Sequence, residues 1–226
     1  MDVPLRIAPD AEEAAAEAAR LLVEAARAGH AIALAGGSTP RRAYELAAAA
    51  EPDWSRAEIW FGDERCVPPD DERSNFRLAR EALLDRLAAV PRAVHRVPTE
   101  LAPADAAAAY AAGLRDVSVG LVLLGIGSDG HTASLFPHAP ALTAQELAVA
   151  AVPGLEPFVE RVTLTPRAFA RAELVVFLAV GADKAAPVRR ALAEPPSPAT
   201  PASLVRGRRT LAVLDEAAAS ELPPRP

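Results

Sequence analysis

The chain has 226 residues, enough for one large domain or two small ones, and its 51% hydrophobic and 24% charged content is an ordinary globular balance. A net charge of -6 argues against a general nucleic-acid binder, and 4% aromatic content is too sparse for a base-stacking platform. The one cysteine, Cys66, excludes an internal disulfide and fits a reducing compartment, and no apolar run approaches the ~18 residues needed to span a bilayer. The first residues carry Asp2, Arg6 and Asp10 and no uninterrupted apolar stretch, so no signal peptide and no membrane partner are expected, and the cytoplasm is the default location.

In chain order, strand and helix alternate. Asp10 followed by Glu13 reads as a capping box that opens an alanine-rich helix ending near Gly29. Ala31 to Ala35 is a short apolar strand, Gly36-Gly37-Ser38-Thr39-Pro40 a turn, and Arg41 to Ala50 a helix. Glu58 to Gly62 is a strand, Asp63 to Ser74 a loop, and Asn75 to Ala88 a helix, with Asn75 assigned to its N-cap. A brief strand at Val94 to Val97 and a helix at Pro103 to Gly113 precede the apolar run Leu121 to Leu124. That run is apolar on both faces, which predicts a central strand covered on both sides. Strands are expected at Leu147 to Val152, Glu160 to Leu164, Leu174 to Val180 and Thr210 to Leu214, with a helix from Asp183 to Ala193 and a short closing helix. The alternation predicts an α/β fold with a mostly parallel sheet and helices on both faces. No repeat, long linker or composition shift divides the chain, so 1–226 reads as a single domain, with a disordered tail at Pro223-Pro224-Arg225-Pro226.

Four predicted strand ends carry the chemistry. After the central strand comes Gly125-Ile126-Gly127-Ser128-Asp129-Gly130-His131, where the glycines let the backbone approach a ligand and deliver Asp129 and His131. Histidine is the side chain most readily used as acid or base near neutral pH. The plain alternative is a histidine that caps a helix beginning near Thr132. The same stretch is a literal G-x-G-x-x-G, but dinucleotide folds require an acidic residue closing the next strand about 20 residues on. Here Glu146 precedes its apolar run instead, and Asp129 would meet the pyrophosphate.

Gly36-Gly37-Ser38-Thr39 offers backbone N–H groups, two hydroxyls and a helix N-terminus, a natural anion cradle; the plain alternative is a simple strand-to-helix turn capped by Ser38 or Thr39. Asp63-Glu64-Arg65 places mixed charges after an aromatic strand, which suits a polar substrate or, equally, a solvated salt-bridge cluster. Arg161 opens one strand, and Lys184, the only lysine in the chain, follows a Gly181 turn as a phosphate ligand or an ordinary solvated charge. The histidines and Cys66 lack metal-ligand spacing, so no metal is expected.

These residues carry a resemblance. Ala35 to Pro40, Asp63-Glu64-Arg65-Cys66-Val67-Pro68 with Ser74-Asn75, Leu124 to Pro137, Arg161-Val162-Thr163-Leu164-Thr165, Gly181-Ala182-Asp183-Lys184-Ala185 and Pro201-Ala202-Ser203-Leu204 match, in order and spacing, the 6-phosphogluconolactonase family over nearly the whole chain. The most specific block is Gly127-Ser128-Asp129-Gly130-His131-Thr132-Ala133-Ser134-Leu135-Phe136-Pro137. The resemblance implies the fold of the deaminase, ribose-5-phosphate isomerase and CoA-transferase-like group. It implies hydrolysis of 6-phospho-D-glucono-1,5-lactone to 6-phosphogluconate without metal or organic cofactor. His131 would activate water, Asp129 would orient or polarise the site, and Asp63 would belong to the catalytic set. Arg65 and backbone N–H groups around Gly36 and Gly127 would stabilise the oxyanion. Gly37, Ser38 and Thr39 would cradle the phosphate, with Arg161 and Lys184 as counter-charges. One departure is visible: Glu156-Pro157-Phe158-Val159-Glu160 replaces a lysine- and proline-bearing stretch common in the family before the arginine matching Arg161. The rival readings are a glucosamine-6-phosphate deaminase or isomerase on the same fold, and a non-catalytic sugar-phosphate sensor. Oligomeric state, monomer or small homo-oligomer, is not legible.

Overall fold

The computed structural model describes residues 3–153 and 158–224. Ten strands and seven helices follow one another as β1 (Leu5–Ala8), α1 (Ala11–Arg27), β2 (Ala31–Leu34), α2 (Ser38–Ala50), β3 (Glu58–Phe61), β4 (Asp63–Arg65), α3 (Asn75–Ala82), β5 (Ala93–Val94), α4 (Pro103–Leu114), β6 (Val119–Leu124), β7 (Ala148–Ala151), β8 (Arg161–Leu164), α5 (Pro166–Phe169), β9 (Leu174–Ala179), α6 (Ala185–Leu192), β10 (Arg209–Asp215) and α7 (Glu216–Ala219). Seven strands form a sheet in the order β1-β10-β9-β6-β2-β3-β5, and its neighbouring strands pair in parallel.

The apolar run after Gly120 takes the middle of that sheet, as its two-sided hydrophobicity predicts. Leu121 and Leu123 point into a core built with α1 and α2 around Leu22, Tyr44 and Trp54. Val122 and Leu124 point into the opposite core, with Tyr110, Phe169 and Val188. A strand whose alternate residues fill two cores leaves no face for polar groups, which is why its chemistry begins only where the strand ends. The Asp10 cap is as predicted: its carboxylate accepts the Glu13 N–H (2.9 Å).

Three expectations are corrected. The segments around Leu147–Val152 and Glu160–Leu164 do not extend the parallel sheet. They pair with β4 in a separate three-stranded antiparallel sheet, β4-β8-β7. Asp63 to Arg65 is therefore strand, not loop; three polar residues carry no periodic signal, and only pairing with β8 makes them extended. The helix read as Asn75 to Ala88 ends at Ala82 and is followed by a single 3₁₀ turn at Leu84–Arg86. Strand β1, an edge strand with Arg6 in its middle and Ile7 52% exposed, carries no apolar run in the sequence. Pro223 and Pro224 are exposed without regular structure, whereas 225–226 and 154–157, the latter including the first two residues of the departing stretch, lie outside the described residues; Phe158 is exposed.

Candidate active site

The carboxyl ends of β2, β3, β6 and β9 meet at one cavity of about 590 Å³. Open parallel sheets place ligands there because the strand-to-helix turns leave backbone donors and helix N-termini converging on a crevice. The cavity is lined by Gly36, Gly37, Ser38, Thr39, Asp63, Arg65, Gly127, His131, Arg161 and Lys184, every sequence-predicted site residue except Asp129. Asp129 acts one layer behind. Its Oδ1 accepts from the His131 backbone N–H (3.0 Å) and lies 2.5 Å from the ring Nδ1. Partial burial pushes the Asp129 carboxyl up, but its hydrogen bonds to the His131 ring and backbone outweigh this and hold it below the ordinary carboxylate value. An ionised carboxylate against Nδ1 fixes the tautomer with its proton there and leaves Nε2 as the acceptor.

No helix starts at Thr132, so His131 is not a helix cap; residues 132–135 form a tight turn closed by a Thr132–Leu135 bridge. The loop is tied into itself: Gly127 N–H donates to the His131 carbonyl (2.8 Å), and Thr132 Oγ1 to the Gly125 carbonyl (2.8 Å). The His131 ring lies against Gly127, where a Cβ would stand 2.1 Å from ring atoms, so glycine is what makes room for the imidazole. Ala133 lines the cavity at φ +49°, a left-handed conformation that costs a non-glycine residue roughly 1–2 kcal/mol and marks a strained turn.

Asp63 and Glu64 are buried, at 6% and 2% exposure, which rejects the solvated salt-bridge reading. Glu64 is structural. Its carboxylate accepts the backbone N–H groups of Arg65, Asn75 and Phe76 (2.7 Å each) and so holds the start of α3. Burial pushes its carboxyl up, against the pull of these donors. Both Asp63 oxygens are engaged: Oδ2 by Ser134 Oγ (2.6 Å) and Oδ1 by Asn75 Nδ2 (3.1 Å). Neither partner was singled out as a site residue. Asn75 was assigned to the helix cap, but Ser74 takes that role, and Asn75, the first helical residue, turns inward over Gly36. Ser74-Asn75 and the Ser134 of the glycine-rich block were the only hints in the sequence.

Arg161 is buried, with its guanidinium carbon 5.5 Å above the Phe136 ring centre. Burial lowers its pKa while Asp63 raises it, and a guanidinium stays charged throughout. Antiparallel pairing sets Arg161 directly opposite Arg65, two cations on one wall of the cavity. Like charges so placed repel unless an anion lies between them. Arg65 donates to the Arg73 carbonyl. Lys184 closes a 3₁₀ turn after Gly181, whose φ of +94° needs glycine, and its ammonium is 3.5 Å from Asp183. The Gly181 N–H is held by both oxygens of buried Asp215 (3.0 and 2.9 Å), a further positioning group that no local motif in the sequence marks. The cradle residues Ser38 and Thr39 belong to the first turn of α2, with Gly37 in the N-cap position and no side-chain cap, so its leading N–H groups face the cavity. Among the described residues no group of three or more His, Cys, Asp or Glu could hold a metal ion, and no helix is long and apolar enough to cross a membrane.

The profile of the family described as glucosamine-6-phosphate isomerases/6-phosphogluconolactonase matches residues 8–213. The chain belongs to that family. A 6-phosphogluconolactonase from Streptomyces coelicolor is 42% identical over 188 residues, 76% of this chain and 72% of its own. The human 6-phosphogluconolactonase is 38% identical over 219 residues, 90% of this chain and 85% of its own. Among solved structures, 6-phosphogluconolactonase from Leishmania guyanensis superposes with a TM-score of 0.85 at 30% identity, covering 99% of this chain and all (100%) of that one. A monomeric glucosamine-6-phosphate deaminase reaches the same TM-score of 0.85 at only 18% identity, covering 97% of this chain and 100% of its own, which shows the shared family fold.

Proposed function

We propose that this chain hydrolyses 6-phospho-D-glucono-1,5-lactone to 6-phosphogluconate. The observation that carries the reading is the His131–Asp129 pair, whose histidine lines a cavity that also holds Arg65, Arg161 and Lys184. A lactone is an activated ester; it needs a positioned water, a base and a stabiliser for the charge that grows on the carbonyl oxygen. In this reading His131 Nε2 takes the proton from water as the oxygen attacks C1, and the resulting imidazolium, steadied by Asp129, returns it to the departing ring oxygen. Arg65 and backbone N–H groups of the Gly36 and Gly127 loops stabilise the oxyanion. The phosphate rests on Gly37, Ser38 and Thr39, countered by Arg161 and Lys184. Asp63, with both oxygens engaged by Ser134 and Asn75, contributes a fixed charge beside Arg161.

That engagement also favours hydrolysis over the deaminase or isomerase alternative. Those reactions remove a carbon-bound proton and need a free carboxylate base at the position of Asp63, whereas both Asp63 oxygens here already accept hydrogen bonds. The named relatives at 38–42% identity support the same choice. The proposed chemistry uses neither metal nor organic cofactor. A phosphorylated lactone does not diffuse through a bilayer, so the enzyme would work where its substrate is made, in the cytoplasm. The test is to add the protein to freshly generated 6-phosphogluconolactone and follow acid release above the spontaneous rate, with a parallel incubation in heavy water. Acid release without deuterium at C2, and no ammonia from glucosamine 6-phosphate, is expected. Ammonia release would establish the deaminase instead.

A further inference from the structure

Lys184 leads into α6, and six residues further on the same helix Arg190 reaches the glycine-rich loop: its guanidinium donates to the Ser128 carbonyl at 2.9 Å. Ser128 lines the cavity and Arg190 does not. The arginine therefore touches the loop that carries Asp129 and His131 from behind, without reaching the space a substrate would fill. We infer that Arg190 is a positioning residue, a clamp that ties the His131 loop to the helix carrying Lys184.

The geometry gives the clamp a specific consequence. A planar trans peptide points the Ser128 carbonyl and the Asp129 N–H in opposite directions. Holding the carbonyl outward against α6 turns that N–H inward, toward the Asp129 carboxylate that receives the His131 backbone N–H and faces its Nδ1. The loop is glycine-rich and so is weakly fixed by its own backbone preferences; Gly127 N–H donates to the His131 carbonyl and Gly130 N–H to the Gly127 carbonyl, while the Ser128 carbonyl between them is held by Arg190. An external guanidinium, charged at every working pH and donating to a carbonyl, supplies what those glycines lack. Because the same helix begins beside Lys184, this one hydrogen bond links the two sides of the cavity.

The inference rests on the proposed lactonase reaction for its kinetic arm only. Arg189, the preceding residue, pairs with Glu194 and Glu221 on the surface and serves as the charge control. The experiment compares wild type, Arg190→Ala, Arg190→Lys and Arg189→Ala. For Arg190→Ala, kcat should fall roughly 10-fold with KM within about twofold, since a small misplacement of a base is costly while substrate contacts are untouched. Arg190→Lys, which keeps a charged donor, should recover part of the loss, and Arg189→Ala should match wild type. Amide hydrogen exchange over Gly125 to His131 should accelerate in Arg190→Ala alone. A raised KM with unchanged kcat would make Arg190 a source of field for the substrate and overturn the clamp. Unchanged exchange in that segment would overturn it as well, whatever the kinetics. Absence of lactone hydrolysis in wild type would refute the proposed reaction and leave the exchange result to decide the clamp.

Discussion

A neutral imidazole whose Nδ1 proton is held by a carboxylate presents one basic nitrogen, and His131, so held by Asp129, lines the cavity. His131→Asn should leave folding intact and remove most turnover above the spontaneous background, a loss of ~10²–10⁴-fold for a positioned base. Measuring kcat and the melting temperature on one preparation separates the base from a merely structural histidine, for which the melting temperature would fall and turnover per folded molecule would persist. Because Asp129 must be ionised to hold the Nδ1 proton, activity should decline on the acid side as its carboxylate is neutralised. The Asp129 carboxyl lies below its ordinary value, so that loss comes only below the usual carboxylate range. The cations divide the labour differently. Lys184→Ala and Arg161→Ala should each weaken handling of the phosphorylated lactone by roughly 1.5–3 kcal/mol, the worth of a charged hydrogen bond, and matter much less for unphosphorylated gluconolactone. Equal losses on both substrates would show that neither residue reads the phosphate.

At the level of elements, the site depends on strands that stop at defined places. Two buried tyrosines supply the stops. The Tyr44 hydroxyl accepts the Ala35 N–H (2.8 Å) and donates to the Ala35 carbonyl (2.7 Å), at the end of β2. The Tyr110 hydroxyl makes the same pair with Phe61 (2.7 and 3.0 Å), at the end of β3. Burial pushes both phenols far above their ordinary value, so they remain neutral and can do both jobs. These backbone groups lie where the sheet opens into the cavity and the parallel ladder runs out. Tyr110→Phe should therefore lower stability by about 1–3 kcal/mol, the cost of leaving buried backbone groups unpaired, although the ring still fits. Denaturant titration measures it; a change below about half a kcal/mol would mean that water replaces the hydroxyl at Phe61.

Over the whole molecule the charges are arranged mostly as arginine–carboxylate pairs on the surface. Arginine hydrogen bonds hold Glu17, Glu81, Glu100 and Asp71 below their ordinary values of 4.5, 4.5, 4.5 and 3.8. A carboxyl depressed in the folded state contributes stability that is present above its unfolded pKa and lost as pH falls through the folded one. Glu64 has the opposite sign: raised by burial, it favours the fold below the ordinary carboxylate range and loses that contribution as pH rises. The depressed groups outnumber it, so the melting temperature should fall between about pH 5 and pH 2. Each exposed pair is worth little by itself, and salt should shrink the effect. A melting temperature that is flat over that range, or a decline insensitive to salt, would show that these pairs do not govern acid stability.

What the sequence determined by itself was local. The Asp10 cap, the helices opening at Ala11 and Pro103 and the central strand follow from capping chemistry and hydrophobic period, which depend on residues within one or two turns of each other. The glycine-rich loops, with His131 and Lys184, were legible for the same reason, and they converge because strand ends of a parallel sheet share one edge. Tertiary structure decided the rest. Asp63 to Arg65 became a strand only on meeting β8, and that pairing set Arg161 against Arg65. Asn75 and Ser134 found Asp63, and Arg190 found Ser128, across separations of 12, 71 and 62 residues. Such contacts leave no periodic trace, because each depends on where two distant backbones come to rest and not on the residues beside it.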